Sequence, residues 1–412
     1  MNKVLIENCL LFNGISDSLQ EGVSLLIEGE RIKEISEGRI SAEEAHVVDA
    51  KGRFVMPGLI DAHFHALAAD PDIGRLDKMP RYLLAQHARK NLEGSLMRGF
   101  TSVRDAGGAD YGLALAVKSR LIEGSRIFYS GKALSQTGGH ADFRTVGEEG
   151  PPLCFCGQSS NVFGVVADGI TEVRKAARDQ LRTGATQVKI MASGGVASPT
   201  DPIWNLQYSE EEIRAVVWEA ASWRTYVMAH AYTPEAIYRC VEYGVKTVEH
   251  VNLIDEETAR FCTERGAWAV PTLVTYEALE NDGPELGLPQ VSLDKLRHVR
   301  EVGLRSLEIL KAAGTQIGFG TDLLGEMHRY QSREFLIRSE VLSPLELLRS
   351  ATSENARMMN VEGEFGVIAE GAIADIIVVD GNPLEDLGVL QGQGDMIPLI
   401  MKDGEIYKNA LA

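Results

Sequence analysis

The sequence predicts an α/β protein: a (β/α)8 TIM barrel carrying a small β-sandwich domain built from both termini. Two observations predict the barrel. Short apolar runs alternate eight times with stretches of 3.6-residue apolar recurrence over about 300 central residues. No glycine-rich phosphate turn follows the first of these runs, as an open doubly wound sheet would usually show. A third observation predicts the sandwich, since both ends are rich in short strands that cannot bury much alone. The expected division is 1–56 for the N-terminal part of the sandwich, 57–358 for the barrel, and 359–412 for the C-terminal part.

Taken in order, Val4–Ile6, Val23–Ile27, Ile32–Ile35 and Val47–Asp49 read as strands, separated by Asn13-Gly14, Glu28-Gly29 and Ser36-Glu37-Gly38. The barrel strands are expected at Leu59–His63, Ser102–Asp105, Arg126–Gly131, Gln187–Met191, Tyr226–His230, Lys246–His250, Ala267–Pro271 and Gln316–Gly320. Helical patterns fall at Tyr82–Arg98, Gly112–Ile122, Ile170–Thr183, Ser209–Trp223, Pro234–Tyr243, Glu256–Arg265 and Leu293–Ala313. Ser209 with Glu212 is a capping-box start, and Pro234 after Thr233 suits a first helical turn. Gly371–Asp380, Met396–Met401 and Gly404–Tyr407 then return to strand texture.

Composition narrows the function. With 44% hydrophobic and 24% charged residues the chain reads as globular rather than disordered. Its net charge of −18, from 41 Lys and Arg against 59 Asp and Glu, disfavours nucleic acid and anionic lipid as partners. The N-terminal apolar run is broken by Glu7 and Asn8, so it reads as a strand and not a leader. Five cysteines, at 9, 154, 156, 240 and 262, form no framework and suit a reducing compartment, so a cytoplasmic location is expected. Cys154 and Cys156 are read as plain thiols in a loop.

In such a barrel the chemistry sits at the C-terminal ends of the strands. The first strand closes on His63-Phe64-His65, and period-2 alternation turns both imidazoles to one face. The fourth strand holds Lys189, the fifth and sixth close on His230 and His250, and Asp322 follows the eighth. Histidine and aspartate are fitting zinc donors, and four of the nine histidines occupy these positions.

The run Pro57-Gly-Leu-Ile-Asp-Ala-His63-Phe-His65 resembles the strand-1 signature of the amidohydrolase superfamily, and Lys189, His230, His250 and Asp322 follow in that superfamily's order. Thr101–Gly107, Gly138-Gly-His140 and His230–Glu235 are similar to an imidazolonepropionase-related group that includes Xaa-Pro dipeptidases (prolidases) and Xaa-Arg/Lys carboxypeptidases. The resemblance implies two divalent metal ions, zinc by preference, held by His63, His65, Lys189, His230, His250 and Asp322. It also implies that carbon dioxide converts Lys189 to an anionic carbamate bridging the pair, since a free ammonium there would be repelled. Two metals sharing a bridging water make hydroxide accessible near neutral pH. Asp322 is the expected general base and then the acid for the leaving nitrogen.

Substrate recognition falls to the loops. The long connection from Leu134 to Asp168 carries His140 and Arg144, and Tyr232 lies two residues beyond His230. His140 is a candidate for polarising the carbonyl or clamping the substrate, Tyr232 for binding a carboxylate or oxyanion, and Arg144 for reading a carboxylate. The expected activity is hydrolysis of a peptide or amide bond in a small substrate, a dipeptidase with Xaa-Pro favoured, working as a homo-oligomer. Three alternatives stand beside it: an Xaa-Arg/Lys carboxypeptidase, which Glu326 in an acidic lining would favour; a cyclic amide hydrolase or deaminase; and a non-catalytic scaffold on the same fold.

Overall fold

A computed structural model of the chain describes residues 3–145, 147, 161–198, 200–287, 290–300 and 302–411; Cys154 and Cys156 lie outside them. Strands β1 (Lys3–Leu11), β2 (Gln20–Glu28), β3 (Arg31–Glu37), β4 (His46–Asp49) and β5 (Phe54–Pro57) come first. The barrel follows with β6 (Leu59–Phe64), β7 (Phe100–Asp105), β8 (Arg126–Tyr129), β9 (Ala133–Ser135), β10 (Gly164–Val166), β11 (Val188–Met191), β12 (Val227–Ala231), β13 (Thr247–His250), β14 (Trp268–Val270) and β15 (Gln316–Ile317). Strands β16 (Ile376–Val379), β17 (Leu399–Lys402) and β18 (Glu405–Asn409) end the chain.

Parallel pairing runs β6-β7-β8 in one segment and β9-β11-β12-β13-β14-β15 in the other. The segments meet where Thr186 N donates to Tyr129 O at 2.9 Å, and where Ala62 N donates to Phe319 O at 2.8 Å. Those two joints close the barrel. Gly320 makes the second possible, because a Cβ there would lie 2.7 Å from His63 Cβ. Twelve helices cover the barrel region among the described residues: α1 (Arg81–Met97), α2 (Tyr111–Lys118), α3 (Gly169–Arg182), α4 (Glu210–Ser222), α5 (Pro234–Glu242), α6 (Glu256–Glu264), α7 (Leu273–Asp282), α8 (Gln290–Arg300), α9 (Gly303–Ala313), α10 (Arg333–Arg338), α11 (Pro344–Arg349) and α12 (Asn355–Met358). The Ser209 capping box and the Pro234 start are both formed.

Three local expectations change. Leu293–Ala313 is two helices, because Gly303, a poor residue for continuing a helix, packs on Leu273 at the start of α9. Helix α7 escapes the periodicity test because it is buried almost all round, with Leu273, Val274, Thr275, Tyr276, Ala278 and Leu279 all inside. The Leu134–Asp168 connection also holds a strand, β10, laid parallel to β9.

Both chain ends build one sheet, ordered β18-β17-β16-β5-β1-β2-β3 with β4 beside β1. It folds back on itself where Gly371 N donates to Ile32 O at 2.8 Å and Ile32 N to Ala372 O at 3.0 Å. The unbroken apolar run of β16 follows from burial on both faces. Ile376 and Val378 pack inside the sandwich with Val4, Ile6 and Leu25, while Ile377 and Val379 pack with Phe100, Phe319 and Leu347 of the barrel.

Arg126 ties the two parts together. From β8 its guanidinium donates to Asp375 at 2.5 and 3.1 Å and also to Asp403. Burial alone would raise the Asp375 carboxyl, but Arg126 outweighs it and holds it below the usual value. Arg126→Met should destabilise the protein by about 3 kcal/mol, by leaving the buried Asp375 carboxylate without its cation. Because the folded carboxyl titrates below the unfolded one, this contribution is complete above the ordinary Asp value of about 4 and fades as pH falls below it. Urea unfolding of both proteins at pH 7 and at lower pH checks this: a difference that fails to shrink in acid contradicts the assignment.

Candidate active site

The mouth of the barrel gathers residues that lie far apart in sequence. His63 and His65 sit on β6 with ring centroids 5.3 Å apart, and His250 at the end of β13 lies 4.8 Å from His63. Asp322, just beyond β15, brings Oδ1 to 3.1 Å from His65 Nε2 and 3.4 Å from His63 Nε2, with Oδ2 3.8 Å from His250 Nδ1. His230, at the end of β12, lies 4.6 Å from His250 by ring centroid. Lys189 on β11 faces the same cleft, is 1% exposed and makes no hydrogen bond among the described residues.

Two of these residues hold backbone conformations that side chains disfavour. His250 has φ 72° and Asp322 φ 55°, both left-handed. At β13 this breaks the strand alternation. Thr247 and Glu249 share one face, and the kink then turns His250 into the mouth as well. Such backbone persists where surrounding contacts over-determine it. Asp322 N donates to His63 O at 2.8 Å, and His250 Nδ1 lies 2.9 Å from Thr272 Oγ1.

Beneath His63 lies a network that the strand-end reading missed. Glu249 Oε2 is 2.8 Å from His63 Nδ1, and Arg104 donates to both oxygens of Glu249 at 3.0 Å. Thr247 Oγ1 donates to Glu249 Oε1 at 2.7 Å, and Arg104 Nε donates to Ala62 O at 2.6 Å. A carboxylate only accepts, so His63 Nδ1 carries the proton and Nε2 is left to coordinate. The signal was available in the Glu249-His250 pair and the Arg104-Asp105 pair, but neither marks a strand end by itself. Asp61 braces the other side, accepting from Thr321 Oγ1 at 2.6 Å and Gln331 Nε2 at 2.9 Å.

Charge at the site follows from its seclusion. Burial pushes the His250 imidazolium down to about 3 and those of His63 and His230 well below the ordinary value, so these rings are neutral donors. Burial also lowers the Lys189 ammonium to about 8. The same burial would raise the Asp322 carboxyl, but the surrounding imidazoles outweigh it and keep it below the usual range. Donor atoms of His63, His250 and Asp322 all lie within 4.8 Å of one another. Against its burial, Asp322 raises the imidazolium of His65, while the neutral rings of His63, His230 and His250, with Lys189 beside them, fit a divalent cation. Among the described residues no thiol lines the cleft. Cys240 and Cys262 are buried on α5 and α6, and burial pushes both up to about 12.

A cleft opens above these groups. His140 and Tyr232 line it, as their sequence positions suggested. The His140 ring stacks on His230 at 4.1 Å, and the Tyr232 hydroxyl is 3.0 Å from that of Tyr276. Arg144 is instead turned onto Asp142, with Nε donating to Oδ1 at 2.6 Å, and it is not in the cleft wall. Glu326 is exposed and bonded to Lys90 at 2.9 Å, so it supplies no acidic lining. The wall is apolar, with Phe143, Phe163, Met191, Val196, Leu279 and Leu324, and Asp322 is the one carboxylate among the described lining residues.

The whole arrangement has close counterparts. A crystal structure of an amidohydrolase covers 100% of this chain and 100% of its own at 51% identity, with a TM-score of 0.98. A prolidase complexed with N-methylphosphonate-L-proline covers 99% of this chain and 100% of its own at 50% identity and TM-score 0.96. The ochratoxinase of Aspergillus niger is 33% identical over 377 residues, 86% of this chain and 75% of that protein. The amidohydrolase family model matches residues 54–406, from the last sandwich strand before the barrel through the barrel and into β18. The chain therefore belongs to the amidohydrolase family.

Proposed function

We propose that this protein is a binuclear-zinc dipeptidase that hydrolyses the peptide bond of small apolar Xaa-Pro substrates. The observation that carries the reading is a polar floor of imidazoles, Lys189 and Asp322 beneath an apolar wall. That wall favours proline over a basic leaving residue, which would meet no carboxylate partner but Asp322 among the described residues. The prolidase relative, complexed with a phosphonate derivative of proline, adds support. His63, His65, His230, His250, Asp322 and a carbamate on Lys189 would hold the cations. A divalent cation held there supplies Lewis acidity, polarising the scissile carbonyl and acidifying water.

The remaining work belongs to the chain. Asp322 takes a proton from water on a carboxylate oxygen and later delivers it to the departing nitrogen, which an amide needs because its anion leaves poorly. Glu249 and Arg104 keep His63 oriented. The apolar wall excludes bulk water, so each polar contact inside is stronger than it would be in solvent. His140 and Tyr232 receive the free carboxylate of the substrate, whose desolvation would otherwise cost several kcal/mol.

The test compares leucyl-proline with its amide. Amidation removes the charge and leaves the scissile bond intact, so kcat/KM should fall about 100-fold for contacts of about 3 kcal/mol. Equal hydrolysis of acid and amide would exclude a carboxylate-reading dipeptidase and turn attention to cyclic or aromatic amides.

A further inference from the structure

The loop after β11 runs directly over the imidazoles of His140 and His230. A Cβ at Gly195 would lie 2.3 Å from His140 Cε1 and 2.7 Å from His230 Nε2, so only glycine fits that closely. His140 Nδ1 lies 2.9 Å from Ser198 Oγ and 3.1 Å from Asp201 Oδ2, both on this loop. Gln207 adds a brace, with Oε1 accepting from His140 N at 2.9 Å and Nε2 donating to Asp201 Oδ2 at 3.1 Å. These bonds fix the ring with Nδ1 turned away and Nε2 left for the cleft.

The loop is fastened from across the mouth by a residue that no strand-end motif marks. Lys295, on α8, donates to the carbonyls of Gly195 at 2.9 Å, Ser198 at 3.0 Å and Asp201 at 2.6 Å. An ammonium has three protons, and all three are used. Asp201, fully buried, supplies the countercharge with Oδ1 3.7 Å from Lys295 Nζ. That oxygen makes no hydrogen bond, so the lysine is its one electrostatic partner among the described residues. A surface lysine has no reason to spend every donor on main-chain carbonyls of one loop. Holding its four-carbon side chain in one geometry costs rotamer entropy, which argues for a structural return at this point.

We propose that Lys295 is a positioning residue for substrate binding: it clasps this loop and, through Asp201 and Ser198, holds His140 with Nε2 facing the substrate. Helix α8 thereby acts on a residue of the β9 side of the barrel without touching substrate. The inference rests on the peptide-hydrolase reading only for what His140 binds. The clasp itself is a property of the fold.

The experiment uses the full-length, metal-loaded protein and two variants. Lys295→Met keeps the side chain's length and removes every donor; Lys295→Arg restores donors and charge. Amide hydrogen exchange at 193–198 should accelerate at least about tenfold in Lys295→Met and return most of the way toward wild type in Lys295→Arg. With leucyl-proline, Lys295→Met should raise KM about tenfold with kcat within about threefold and metal content unchanged, and Lys295→Arg should recover KM. Unchanged exchange in Lys295→Met overturns the proposal, as does a fall in kcat that tracks loss of metal. If wild type leaves leucyl-proline intact, the dipeptidase reading fails, and the exchange result alone decides the clasp.

Discussion

Asp322→Asn is expected to lose at least about 10²- to 10⁴-fold in kcat while keeping most of its metal. An amide oxygen can still face a cation, but it cannot accept a proton from water and return it to the leaving nitrogen. Three imidazoles converge on this carboxylate, His65 at 3.1 Å, His63 at 3.4 Å and His250 at 3.8 Å, so it stands between the cation donors and the cleft. Its left-handed φ of 55° matches that of no strand neighbour, and the backbone bond from Asp322 N to His63 O keeps it there. Asparagine tolerates the same backbone, so the substitution isolates the proton-transfer role from folding. Turnover of leucyl-proline together with elemental analysis checks it. A rate within threefold of wild type, at full metal content, would remove Asp322 from the mechanism.

Lys189→Ala should cost nearly all activity and most of the bound metal, from two equivalents to below one. The Lys189 side chain enters the cleft from β11, buried and without a hydrogen bond among the described residues, where divalent cations held there would repel a protonated amine. Carbon dioxide addition would exchange that ammonium for an anion with two oxygens. Growth or reconstitution with carbon-13 bicarbonate should therefore give a carbamate carbonyl resonance that Lys189→Ala lacks. Short carboxylic acids such as propionate should restore part of the metal content and activity, by filling the vacated space with two oxygens. Full activity with two metals and no carbamate signal would overturn the assignment. Glu249 and Asp322 both act on the Lys189 charge, and Arg104 donates to both oxygens of Glu249 at 3.0 Å.

Legibility in the sequence followed local periodicity. The eight expected strands, which match β6, β7, β8 and β11 to β15, and the Ser209 and Pro234 helix starts could be read because each is a short-range pattern of one element; β9 and β10 could not. Helix α7 could not, because burial on nearly every side erases the 3.6-residue stripe. The interruption between α8 and α9 depends on how Gly303 packs against Leu273, a contact 30 positions distant. Arg144 shows the reverse dependence. Its chemistry suited a carboxylate, but a loop arginine takes the nearest anion, here Asp142 two residues away.

By itself the sequence determined which residues could carry chemistry. His63 and His65 share a face at period two, His230 and His250 fall where parallel strands end, Lys189 lies within one strand and Asp322 follows another, and a barrel presents those ends on one side. Only the tertiary structure decided their mutual geometry and support. The left-handed turn at His250 brings it and Glu249 inward together, against the alternation that a regular strand imposes. Arg104 meets Glu249 across 145 positions, and Lys295 meets Gly195 across 100. Such contacts are set by ring closure of the barrel and by which helix crosses its mouth, and these are properties of the packed chain that no single segment encodes.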